Sequence, residues 1–231
     1  MLILGITMAT RTIDLVEGEY YHVYNRGTEK RTIFMDTADY VRFMELLFLS
    51  NSTKPVNVRN IRRDHNSIYD FDSGDKLVAI GAYCLMPNHF HILATPIIEG
   101  GLSTFMNKLS TGYSMYFNKR YKRTGSLFQG SFRSKHANGD EYLKYLFSYI
   151  HLNPIKLIQS DWKEIGVKNI DTTFQYVSSY RYSSLMSYLN LGGKYKVIIN
   201  PEKFPEYFPS SENIKHELFE WLKYNPDDFN L

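Results

Sequence analysis

Two histidines separated by one residue, His89 and His91, stand in the run Leu85-Met86-Pro87-Asn88-His89-Phe90-His91-Ile92-Leu93. In an extended strand, side chains two apart share a face, so the imidazoles stand side by side while Phe90 turns into the core. Such a pair suits a metal ion; the ordinary alternative is two hydrogen-bonded strand histidines that hold nothing. Further along, Tyr149 and Asn153 are spaced to share one face of an expected helix. A tyrosine hydroxyl can attack phosphorus, and an amide oxygen can complete a metal site begun by two imidazoles. Their ordinary readings are a core aromatic and a helix C-cap before Pro154, and residue type alone favours those.

Between the two pairs lies a segment with a charge bias. From Gly100 to Gly139 there is no Asp or Glu, while Lys108, Lys119, Arg120, Lys122, Arg123, Arg133 and Lys135 fall inside it, interleaved with Tyr113, Tyr116, Phe117, Tyr121, Phe128 and Phe132. Positive charge tracks phosphates and aromatic faces stack on unpaired bases, a pattern that suits single-stranded nucleic acid better than a duplex groove. Phe105, Tyr113 and Phe117 read instead as a core-facing stripe, whereas Lys119 to Arg123 read as phosphate contacts.

The elements that must position these groups follow from periodicity. Tyr20-Tyr21-His22-Val23-Tyr24-Asn25 is β-branched and aromatic and stops at the turn signal Asn25-Arg26-Gly27. From about Thr37 to Ser50 an apolar stripe follows Asp36 as a plausible N-cap, giving the first helix. Residues 51 to about 75 lose periodicity and read as a loop or irregular hairpin, with Arg59, Arg62, Arg63 and His65 as solvated surface. Lys76 to Cys84 and His89 to Thr95 read as an antiparallel hairpin turning at Met86-Pro87-Asn88. Leu102 to about Tyr121 is a long helix, Phe128 to Ala137 a short extended segment, and Asp140-Glu141 opens a helix running from Tyr142 to about Leu152 and stopped by Pro154. This order predicts an α+β domain, an antiparallel sheet with helices packed on it, as in ferredoxin-like folds. After about Ile158 the pattern weakens into Tyr- and Ser-rich stretches and a short helix near Asn213 to Lys223. The expected division is an N-terminal segment 1–18, a core 19–158 and a C-terminal appendage 159–231.

Composition bounds the class. The 231 residues are 43% hydrophobic, enough for a real core, and the net charge of +3 is only mildly basic. A single cysteine, Cys84, excludes an internal disulfide framework, fits a reducing cytoplasm and reads as a small core residue. Met1 to Thr7 is apolar but too short for a signal-peptide core, and Met8 is an alternative start; the chain reads as untargeted, cytoplasmic and without a membrane partner.

Five blocks occur in order: Tyr21-His22-Val23-Tyr24-Asn25-Arg26-Gly27, Met86-Pro87-Asn88-His89-Phe90-His91, Gly125-Ser126-Leu127-Phe128-Gln129-Gly130-Ser131-Phe132, Tyr149-Ile150-His151-Leu152-Asn153-Pro154 and, more loosely, Ser178-Ser179-Tyr180-Arg181. Each is weak singly, but the ordered set resembles the HUH-type single-tyrosine transposases, in their REP-associated branch. That resemblance implies an HUH endonuclease core in which His89 and His91 hold a metal, Asn153 is its third ligand and Tyr149 is the nucleophile. It also implies DNA transposition: cleavage and rejoining of single-stranded DNA, with a hairpin, through a 5′-phosphotyrosine and Mg²⁺ or Mn²⁺, by a monomer or homodimer. Two imidazoles alone would also accept Zn²⁺. Asn25, Arg26, Gln129 and Arg133 join Lys119, Arg120, Lys122 and Arg123 as candidate DNA contacts. The chain departs from the family's shortest members in a longer first loop and an extra tail after residue 190. The alternatives are a domesticated, catalytically inactive hairpin-binding protein, for which the four site residues have no chemical use, and a small-substrate metal hydrolase, for which the acid-free basic segment has none. Tyrosine has an ordinary pKa of about 10, so the attacking hydroxyl needs activation, and no convincing base is visible in the sequence.

Overall fold

The computed structural model describes residues 15–223, so the choice between Met1 and Met8 and all but the last four positions of segment 1–18 lie outside the described residues. In β1 (Tyr21–Arg26), Tyr21 and Val23 are buried on one face of the sheet, while His22 and Tyr24 turn to the other. Helix α1 (Thr37–Ser50) starts where Asp36 accepts hydrogen bonds from the amides of Ala38 and Asp39. The following stretch corrects the expectation of a loop: α2 (Val58–Asp64) and a 3-10 turn at Ile68–Asp70 are ordered there. Asn57 caps the first, and Ser67 with Asp70 closes a capping box on the second, so capping rather than periodicity carries the signal in elements this short. Its arginines behave as surface groups, Arg62 pairing with Glu45 at 2.6 Å and Arg63 with Asp64 at 2.7 Å.

The hairpin of β2 (Val78–Met86) and β3 (His89–Pro96) forms as expected, and helix α3 (Gly101–Arg120) and strand β4 (Arg133–His136) follow. The sheet order is β2-β3-β1-β4 with every pairing antiparallel, the ferredoxin-like arrangement of strands. Helices α1 and α3 cover one face, where Phe43, Phe90, Phe105, Leu109 and Tyr113 form the main core. Helix α4 (Asp140–Leu152) crosses the other face, its Leu143, Leu146, Phe147 and Ile150 lying on Ala79, Ala82, Cys84, Met86 and Leu93. Small side chains on that face of β2 let a helix come close, and Cys84 is fully buried there as a core residue.

Pro154 does not end the helical path. Asn153 keeps helical backbone angles (φ −55°, ψ −36°), and the chain tightens into a 3-10 turn over Asn153–Leu157. A proline in the first turn of a helix lacks only an N–H that would have no partner there, which is why it is tolerated. The C-terminal part is richer than expected, with α5 (Trp162–Ile165), α6 (Ile170–Ser179) and α7 (Leu185–Tyr188) preceding α8 (Ser211–Lys223). Val177, Leu185, Leu189, Ile214, Leu218 and Leu222 close a third cluster on Leu152 and Ile155, so this part is built onto the end of α4.

The outer edge of β2 is covered from the same region. The Leu85 amide donates to the Tyr182 carbonyl at 2.9 Å and the Ser184 amide to the Tyr83 carbonyl at 3.0 Å. Tyr180 and Tyr188 hydroxyls donate to the carbonyls of Leu85 and Gly81, and the Asn200 amide donates to that of Ile80. The beginning of the strand is held by Asn51, which is 4% exposed, accepts from the amides of Leu77 and Val78 and donates to the Val78 carbonyl. Asn51→Ala strands all three groups, and urea unfolding is expected to show a loss on the order of 3 kcal/mol.

Candidate active site

The strand pairing assembles the site. His89 and His91 share a face of β3 with ring centroids 4.9 Å apart, while Phe90 is fully buried on the opposite face against Phe43 and Phe128. Because β1 lies beside β3, His22 comes within reach: its Nε2 is 2.8 Å from His91 Nδ1 and the rings stack at 5.0 Å. Helix α4 then brings the Tyr149 ring to 5.6 Å from that of His91 and 5.9 Å from that of His22. One turn on, Asn153 is 2% exposed and its Nδ2 lies 3.5 Å from the Tyr149 carbonyl oxygen. Its Oδ1 is buried without any hydrogen-bond partner, an expensive arrangement for an amide oxygen unless something binds it. The two candidate halves of the site, separate in sequence, are therefore adjacent in the fold.

The charged side chains that act on the three histidines are cations and the histidines themselves. Burial, with Lys135 adding, pushes the His22 imidazole down to about 4, and burial, with Lys156 and Arg26 adding, does the same to His89. His91 is driven well below its ordinary value by burial, then by His22, His89, Lys156 and Lys163. All three are neutral at pH 7 and offer lone pairs, while the cations around them favour an arriving phosphate. Among the described residues no cluster of three His, Cys, Asp or Glu side chains can hold a metal. The candidate donors are instead two imidazoles and one amide oxygen, a neutral set that includes the orphaned Asn153 Oδ1 and fits a divalent cation.

Burying neutral histidines has a pH consequence. Their folded pKa values lie below the unfolded value near 6.5, so the unfolded chain binds more protons across the interval between them. Buried His151, pushed down to about 3 by burial, acts in the same direction. Stability present above about pH 6.5 is expected to drain away as pH falls towards 4, read as a falling thermal midpoint in metal-free buffer.

The other candidate residues divide into two places. Arg26 donates to the Gln129 side chain at 3.0 Å, and with Tyr24, Asn88, His89 and Arg133 they line a cavity of about 300 Å³ beside the histidines. Asn25 is 5% exposed, donates to the Gly130 carbonyl and accepts from the Arg26 amide, so it shapes this wall. Lys119, Arg120, Lys122 and Arg123 sit at the C-terminal end of α3, on the face of the sheet opposite α4. Arg120 is engaged by Asp36 at 2.5 Å and by the fully buried Asp39 at 2.7 Å, and Arg123 donates to Asn118 at 2.9 Å. Two site residues escape sequence reasoning. His22 is one, since strand adjacency is not a local property. Lys163 of α5 is the other, its Nζ lying 4.4 Å from the centroid of the Tyr149 ring. It supplies the cation near the tyrosine that the sequence did not reveal.

Residues 43–153 match the family model described as "Transposase IS200 like". This segment is similar to IS200-like transposases. No curated protein matches the chain significantly. Among solved structures, a REP-associated tyrosine transposase bound to a REP hairpin shares the fold, with a TM-score of 0.50 and 16% identity over 80% of this chain and 87% of that one. The matched segment runs from within α1 to the residue after α4 and so includes His89, His91, Tyr149 and Asn153. It excludes β1 with His22 and Arg26, and α5 with Lys163. No helix among the described residues is long and apolar enough to cross a membrane.

Proposed function

We propose that this chain is a DNA transposase that cleaves and rejoins single-stranded DNA through a 5′-phosphotyrosine on Tyr149. The observation that carries the reading is the contact of Tyr149 with His91, one turn from the unpartnered buried oxygen of Asn153. His89, His91 and Asn153 would hold Mg²⁺ or Mn²⁺. When bound, the cation polarises the scissile phosphate and offsets charge on the departing oxygen.

The protein's own groups then have distinct tasks. The Tyr149 hydroxyl attacks phosphorus in line; its O–P bond forms as the bond to the 3′ oxygen breaks, and the 3′ oxygen leaves with a proton as a hydroxyl. The phosphodiester is exchanged for a phosphotyrosine ester, so attack by another 3′-hydroxyl rejoins DNA without a nucleotide cofactor. Lys163 over the ring steadies negative charge as the phenol loses its proton. Arg26, Gln129 and Arg133 hold the neighbouring nucleotides in the cavity beside His89, while Lys119, Lys122 and Arg123 attract the strand at longer range. A hairpin next to the cut is the partner that the REP-bound relative suggests.

Single-stranded oligonucleotides from the flanks of the chain's own gene, incubated with the protein and Mn²⁺, are expected to give a covalent protein–DNA band; no band with any flank removes the proposal. Contacts can be sorted by salt. Arg26→Ala and Arg133→Ala should each reduce the slope of log affinity against log salt by about 0.7, the value for one lost phosphate contact on single strands. Arg120→Ala should leave that slope unchanged and lower the urea midpoint of unfolding, because it leaves the buried Asp39 carboxylate without its cation.

A further inference from the structure

We propose that His22 is a positioning residue that sets which nitrogen of His91 is free to bind a cation. The inference rests on the reading of His91 as a ligand. Nε2 of His22 and Nδ1 of His91 are 2.8 Å apart, both residues are 7% exposed, and the rings stack with 25° between their planes. Two neutral imidazoles at this distance share one hydrogen bond, in which one nitrogen donates and the other accepts. If His91 Nδ1 donates, its Nε2 keeps the lone pair. If His22 donates, the proton of His91 sits on Nε2, and that nitrogen cannot ligate.

His89 carries the same device in an unambiguous form. Its Nδ1 lies 2.6 Å from Asn88 Oδ1, an oxygen that only accepts, so Nδ1 holds the proton and Nε2 the lone pair. With His22 accepting, both candidate ligands present Nε2, each held by a neighbour on its Nδ1. The arrangement follows from the register: Tyr24 opposes His91, and His22, two residues earlier on the same face of β1, is its diagonal neighbour. Orientation of a ligating histidine through its second nitrogen usually falls to a carboxylate, a carbonyl or water. An imidazole acceptor does the same without adding negative charge, which leaves more of a bound cation's charge for phosphate.

The test compares His22→Phe with His22→Gln, whose amide oxygen can still accept a hydrogen bond, by Mn²⁺ affinity without DNA, counting free Mn²⁺ by electron paramagnetic resonance. His22→Phe is expected to weaken binding 10- to 100-fold, about the usual effect of losing such a partner, and His22→Gln to stay within a few-fold of the parent. Unchanged affinity in His22→Phe overturns the proposal, as does an equal loss in both variants, which would mark a packing role. His91→Ala separates the two levels. If it binds Mn²⁺ like the parent, the ligand reading itself fails; if it loses Mn²⁺ while His22→Phe keeps it, only the role of His22 fails. Should His22→Phe not fold, nitrogen-15 shifts of His91 in the Mg²⁺-loaded parent decide: a proton on Nδ1 supports the proposal, and a proton on Nε2 overturns it.

Discussion

Tyr149→Phe is expected to bind single-stranded oligonucleotides as tightly as the parent and to form no covalent adduct. The substitution removes one oxygen from a ring whose place is set by His22, His91, Tyr145 and Lys163, all of which a phenylalanine still meets. Stability should change by less than about 1 kcal/mol, since no cavity of a methylene or more is made. Adduct formation should fall by at least about three orders of magnitude, because the bond-forming atom is gone. Denaturing gels with a 5′-labelled and a 3′-labelled strand read this directly. Cleavage at the parent rate would take Tyr149 out of the chemistry, while a parallel loss of binding would mean that the ring serves the strand rather than the cut.

The second large effect concerns the histidine pair. With His89 and His91 both replaced by Ala, Mn²⁺-dependent nicking is expected to vanish while the Tyr149 hydroxyl remains in place. Chelation should do the same to the parent, with activity returning on addition of Mn²⁺ or Mg²⁺. Nicking by the double variant, or by the chelated parent, would separate the chemistry from these side chains. The variant also has an internal control for folding. Removing two imidazoles with depressed pKa values removes part of the acid sensitivity, so its thermal midpoint should vary less between pH 7 and pH 5 than that of the parent.

What could be read from the chain is what local rules govern. Period-two alternation set His89 and His91 on one face with Phe90 on the other, and the spacing of Tyr149 and Asn153 set them on one face of α4. The order of elements was enough for the four-stranded antiparallel sheet. Helix α2 was missed because seven residues carry too little periodicity. The shortfall in α5, α6 and α7 has a similar origin: they are short, and their apolar residues share a cluster with α4 and α8 rather than forming one of their own. The proximity of His22 to His91 and of Lys163 to Tyr149 depends on which strands and helices become neighbours, and nothing in their own flanking residues specifies that. Arg120 shows the reverse case: an acid-free stretch looked committed to phosphate, but Asp36 and Asp39 from α1 claim that guanidinium from outside the stretch.

The covered edge of β2 bears on how copies of this chain can meet. A sheet grows sideways only where a strand offers unspent amides and carbonyls to a newcomer. Along β2 those groups are taken by Asn51, Tyr180, Tyr182, Ser184, Tyr188 and Asn200 of the same chain. The opposite margin, β4, is four residues long and carries Arg133 and Lys135, so a second copy arriving there would face like charge. Two copies that pair would have to do so through helices or loops, and the residues from Tyr180 onward that hydrogen-bond to β2 keep that edge from becoming a template for aggregation.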